Sequence, residues 1–152
     1  MRGSRRRFLI WCIAALVLPR GVGAQAFDPV GLIGLDPASA LKTLGPPFEV
    51  FSYRGVEEAE DNVVFFYPDF TYLFWFRNRV WQVRCDQRFK GAVFGLKLGM
   101  RRDEVGAAAE WAQTEIGDSV YFDFIKADYP IRVRLVFSGG ILHDVYVYRS
   151  DY

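Results

Sequence analysis

Three runs of β-branched and aromatic residues, parted by two short polar breaks, dominate residues 63–86, VVFFYPDFTYLFWFRNRVWQVRCD. The pattern predicts a meander of three strands, over 63–67, 70–76 and 80–85. Pro68-Asp69 presets one turn, and Asn78 tolerates the left-handed φ that the second requires. The middle run has no polar face. Phe70, Tyr72, Phe74 and Phe76 point one way, and Thr71, Leu73 and Trp75 the other. A strand apolar on both sides is either covered on both or leaves an aromatic face open to a partner.

The rest of the chain alternates in the same way. Asp36 as N-cap, Pro37 at N1 and Gly45 before Pro46-Pro47 bracket a short helix with Ala40, Leu41 and Leu44 as its buried stripe. A strand over 48–53 follows. Residues 55–62 carry Glu57, Glu58, Glu60 and Asp61, but without the alternating ligands and central glycine of a calcium loop. They read as a solvated connection between strands.

A linker over 87–94 leads to a second helix over 102–112, with Val105, Ala108, Ala109 and Ala112 on one stripe. Asp103 and Glu104 sit near its positive end. Strands over 119–125, 131–137 and 141–149 complete the chain. Ser138-Gly139-Gly140, taken as a three-residue loop, sets Phe137 opposite Ile141. Ile131, Val133, Leu135, Ile141, Val145 and Val147 then share one face. Arg132, Arg134, Leu142, Asp144, Tyr146 and Tyr148 share the other, with Arg134 opposite Asp144 as an ion pair.

The first 26 residues change the charge picture. Arg2, Arg5, Arg6 and Arg7 precede an apolar run over 8–18, and Ala24-Gln25-Ala26 is a small-x-small site, so the segment reads as a cleaved signal peptide. Its loss removes five arginines and no acid. That leaves 14 basic against 18 acidic side chains, a formal net charge of −4 instead of +1. An acidic chain argues against nucleic acid and against binding at an anionic membrane surface. The remaining 126 residues suit one domain and hold one cysteine, Cys85, so no disulfide staples the fold.

Chemistry is sparse. His143 is the only histidine, which excludes a His-based metal cluster. By alternation it lies among Ile141, Val145 and Val147, turned away from Asp144. A Cys85–His143 thiol dyad is the enzyme reading, though no nucleophile motif surrounds it. No cofactor motif and no phosphate-binding loop occurs. The candidate binding residues are Trp75, Trp81, Arg84, Arg134, Tyr146 and Tyr148, because Trp, Tyr and Arg bury large area while keeping a polar handle.

The two halves repeat an order: a glycine entry, a short helix, then an antiparallel meander. Gly34-Leu35 parallels Gly99-Met100, and Phe76-Arg77-Asn78-Arg79-Val80 parallels Phe137-Ser138-Gly139-Gly140-Ile141. The expected fold is α+β, with two helix-plus-meander units over 27–94 and 95–152 sharing one core. The glycine entry and the Leu44-Gly45-Pro46-Pro47 close resemble the SmpA/OmlA (BamE) type of outer-membrane assembly lipoprotein, and in tandem the β-lactamase-inhibitor proteins. NRVWQVR and YVYRSDY are similar to runs in uncharacterised exported bacterial proteins. The resemblance implies a periplasmic or otherwise exported, non-enzymatic module whose aromatic sheet face meets another envelope protein. A small-ligand carrier with an apolar pocket between sheet and helices is the alternative.

Overall fold

A computed structural model describes residues 27–55, 62–108, 114–126 and 129–151. Residues 1–26, expected as a signal peptide, residues 56–61 of the expected acidic loop, and residues 109–112 of the expected second helix lie outside the described residues. The predicted first helix forms as its punctuation dictates. Helix α2 spans Pro37–Leu44 after a four-residue turn α1, Pro29–Leu32. The Asp36 carboxylate accepts from the Ser39 backbone N–H at 2.9 Å, and Gly45 closes the helix at φ 79°. Ala40 is fully buried, whereas Leu41, expected in the same stripe, faces solvent. Helix α3, Arg102–Ala108, begins with Glu104 reaching back to the Arg101 N–H at 2.8 Å.

Eight strands make one antiparallel sheet. They are β1 (Glu49–Tyr53), β2 (Asn62–Phe66), β3 (Thr71–Phe76), β4 (Arg79–Cys85), β7 (Thr114–Ile116), β8 (Ser119–Lys126), β9 (Tyr129–Ser138) and β10 (Ile141–Arg149). Their order is β1-β2-β3-β4-β10-β9-β8-β7, two four-stranded meanders joined along their last strands. Two-residue strands β5 (Ala92–Val93) and β6 (Leu96–Lys97) form a separate hairpin in the linker. The two-residue strands, β7 and α1 were too short to leave a readable period in the sequence.

One sheet face carries the core. Leu73, Val83, Val147, Val133 and Phe122 run across five adjacent strands, and Val30, Leu32, Ala40 and Val105 of the three helices pack into the same cluster. Burying side chains of this size stabilises the fold by about 1.5–3 kcal/mol each.

The β3–β4 and β9–β10 hairpins share their construction. Each turns on two residues with positive φ, Arg77-Asn78 at 47° and 58° and Gly139-Gly140 at 57° and 77°. In each, one extra residue bulges out early in the second strand: Trp81 in β4 and His143 in β10. In each, the residue just before the bulge is clasped by a glycine and the residue that follows it. The Gly34 N–H donates to the Val80 carbonyl at 2.8 Å, and the Val80 N–H to Leu35 at 3.0 Å. The Gly99 N–H donates to the Leu142 carbonyl and the Leu142 N–H to Met100, both at 2.8 Å.

This corrects the register expected for the second hairpin. Its loop has two residues, so Ser138 faces Ile141 and Phe137 faces Leu142. Leu142 is fully buried on the core face and Ile141 is exposed, the reverse of the expectation. The bulge at His143 then restores the phase, and Val145 and Val147 point inward as expected. Arg134 faces Tyr146, not Asp144, which pairs with Val136.

Candidate functional site

The sheet face opposite the core carries a row that crosses all eight strands: Glu49, Phe66, Tyr72, Arg84, Tyr146, Arg134, Tyr121 and Thr114. Six central members form an aromatic–guanidinium ladder. The Phe66 and Tyr72 rings lie 4.8 Å apart. Arg84 sits over Tyr72 at 5.1 Å and Tyr146 at 5.5 Å, and Arg134 lies 5.8 Å from both Tyr146 and Tyr121. Cross-strand spacing of about 5 Å lets each guanidinium bridge two rings, for about 0.5–1 kcal/mol per contact. A second row, from Phe51 through Phe74, Gln82, Tyr148 and Arg132 to Asp123, runs beside it.

Five of the six expected binding residues meet on this face. Arg84, Arg134 and Tyr146 are in the ladder and Tyr148 in the second row. The bulge turns Trp81 toward them, with its indole N–H on Asn62 Oδ1 at 2.6 Å and its ring against Tyr148. Trp75 is the exception. It is buried on the core face, facing Val63 and Val80 and packed on Phe65 at 4.9 Å. Alternation along β3 already separates it from Tyr72; choosing residues by type alone put it in the wrong set. Phe66, Tyr72 and Tyr121 were missed, although period-two alternation places Tyr121 beside Arg134 once the strands are paired.

Arg84 is anchored. Its Nε donates to Asp144 Oδ1 at 2.8 Å and its Nη2 lies 2.6 Å from the same oxygen. His143 Nδ1 lies 2.6 Å from Asp144 Oδ2, so histidine and carboxylate are adjacent, contrary to expectation. The bulge is the reason, since it turns His143 out of strict alternation. Cys85 lies on the core face, and burial pushes its thiol up to about 12. The alternative Cys85–His143 dyad is therefore not brought together: the thiol is inside, and the imidazole is held by Asp144 of the ladder face. Among the described residues no group of three metal-ligating side chains occurs.

At one end of the ladder, Tyr72 joins a buried carboxylate. The Tyr72 hydroxyl donates to Asp86 Oδ2 at 2.8 Å, and the Arg88 backbone N–H donates to Asp86 Oδ1 at 2.9 Å. The Arg88 guanidinium closes on both oxygens. Burial pushes the Asp86 carboxyl up, but the hydrogen bonds from Arg88 and Tyr72 outweigh it and hold the group down to about 2, against an ordinary 3.8. A depressed carboxyl stabilises the fold fully above about pH 4, where both folded and unfolded chains are ionised. Between about pH 4 and pH 2 the unfolded chain takes up the proton first, and about 2 kcal/mol is lost. Urea unfolding of the parent and Asp86→Asn is expected to show that difference narrowing over this window. Parallel pH profiles would refute the assignment.

Beyond this network lies an open cleft of about 860 Å³, walled by Phe27, Phe70, Phe89 and Phe94 with Arg88 and Lys90 at its rim. Phe70 and Phe94 hold φ values of 67° and 54°, a strained conformation for a bulky residue. A Cβ at Gly91 would stand 2.6 Å from the Phe89 ring, so any larger residue there would have to displace that ring.

No protein-family model and no curated protein sequence matches the chain. Among solved structures it is similar to an extracellular protein containing an SCP domain from Bacillus anthracis str. Ames, with a TM-score of 0.52 and 11% identity. The match covers 99% of this chain and 51% of that one, so the chain spans about half the length of its neighbour, and the likeness is one of fold. No helix among the described residues is long and apolar enough to cross a membrane. The described architecture is α+β, a largely antiparallel sheet with a few short helices on one face.

Proposed function

We propose that this chain is an exported, non-enzymatic module that binds another protein of the cell envelope through the ladder face. The observation that carries the reading is the continuous row of Phe66, Tyr72, Arg84, Tyr146, Arg134 and Tyr121 on the face that the core cluster does not use. Aromatic and arginine side chains concentrated on one sheet face have the composition of interface hot spots. Export rests on the basic and apolar N-terminal pattern, and the extracellular neighbour agrees with it. We read the molecule as two copies of one helix-and-meander unit. The paired glycine clasps and the matching bulges at Trp81 and His143 support this, with Val80 answering to Leu142, one residue on from the sequence alignment above. A duplicated unit joined last strand to last strand makes a face twice as wide as either half.

The test is capture from the envelope fraction by the tagged full-length protein, beside a Tyr146→Ala variant shown to fold. An identified partner should bind the variant at least about tenfold more weakly. Equal capture by parent and variant would remove the ladder from the interface.

The cleft at the Phe70 end favours a second reading, a carrier of small apolar ligands. It predicts saturable, one-to-one binding of a fluorescent long-chain fatty acid that is weakened in Phe94→Ala. A probe that fails to saturate would sink it.

A further inference from the structure

We propose that Arg134 is the anchor for a carboxylate side chain, an Asp or Glu, on an extended segment of the partner protein. The proposal rests on the binding-face reading and adds the chemistry of what is bound. Other guanidiniums of this face and its margin already have an acid. Arg84 is held by Asp144, Arg132 grips Asp123 through two hydrogen bonds of 2.7 and 2.8 Å, and Arg149 grips Asp151. Arg134 has none. Its Nε donates to the buried Ser119 hydroxyl at 3.1 Å, and no carboxylate of the described residues reaches its outer fork. The acid expected opposite it, Asp144, stands opposite Val136 because the two-residue loop and the bulge together shift the register, and it is held by Arg84.

The result is a half-buried cation, fixed at Nε and flanked by the Tyr121 and Tyr146 rings at 5.8 Å. Its two Nη groups form the planar fork that matches a carboxylate bidentately. Among the three arginines of the ladder and the second row, Arg132 is paired with Asp123 and Arg84 with the neighbouring Asp144, which leaves the charge of Arg134. The exported chain as a whole carries −4. Charge complementarity therefore favours an acidic group at this point, although the chain's own charge repels an anionic membrane. The aromatic rungs on both sides of Arg134 extend well past a small inorganic anion and suit a peptide whose apolar side chains flank the acid.

The experiment is selection of a random twelve-residue peptide display library on the immobilised full chain, followed by affinity measurement with the synthetic winners. Selected peptides should carry Asp or Glu. Changing that residue to Gln or Asn should weaken binding to the parent at least tenfold. The same peptide change should leave affinity for a folded Arg134→Gln variant unaltered. If the acid-to-amide change weakens binding equally on parent and Arg134→Gln, the anchor is overturned. Loss of the same peptides on Tyr146→Ala would then show that the face itself still binds. If no peptide is selected, or Tyr146→Ala binds the winners as tightly as the parent, the binding-face reading falls and the anchor with it.

Discussion

Arg84→Met is expected to lower the free energy of unfolding by about 3 kcal/mol, read from urea unfolding at neutral pH. The cost comes from what is left behind. Asp144 exposes only 8% of its side chain, and Arg84 supplies both close contacts to its Oδ1. Without the guanidinium, that oxygen loses its donor in a site that water barely reaches, while His143 still serves the other oxygen. Arg84 itself keeps 29% of its side chain exposed, which puts the loss at the low end for a broken buried pair. Two rings, Tyr72 and Tyr146, also lose the cation between them. A second substitution, Asp144→Leu, on the Arg84→Met background should restore much of the loss, because removing both charges also removes the unpaired one. A loss below about 1 kcal/mol would mean that Asp144 is adequately solvated without Arg84.

The same pair shows what the sequence could and could not reveal. Asp36, Pro37 and Gly45 act within a single helix, so their roles were legible as local chemistry. The seven longer strands were legible from composition and alternation, and so were five of the ladder-face residues. The partner of Asp144 was not. It lies on β4, 60 residues away, and strand order across the β4–β10 seam leaves no local trace. Bulges were equally hidden, since one inserted residue alters no period that an eight-residue window can measure. Yet the bulges decide the chemistry of the face. They bring His143 to Asp144 and turn Trp81 to Asn62, and together with the two-residue loop they put Leu142 in the core and Tyr146, not Asp144, opposite Arg134.

The two tryptophans that the sequence placed in one binding set are expected to part company on substitution. Trp75→Ala should cost about 4 kcal/mol, because the side chain is buried against Phe65 on the core face and its loss leaves a cavity bounded by a fixed sheet. The indole N–H of Trp75 finds no acceptor among the described residues, so its contribution is packing, and Trp75→Phe should retain more than half of it. Trp81→Ala removes one hydrogen bond to Asn62 and an edge contact with Tyr148 at the half-buried ladder face, and should cost about 1–2 kcal/mol. Partner capture should reverse the ranking. Under conditions where both variants are folded, Trp75→Phe should bind as the parent does and Trp81→Ala should bind more weakly. A Trp75 variant that folds normally yet loses its partner would place the interface on the helix-covered side. Equal stability losses at the two positions would contradict the division of the sheet into a core face and a ladder face.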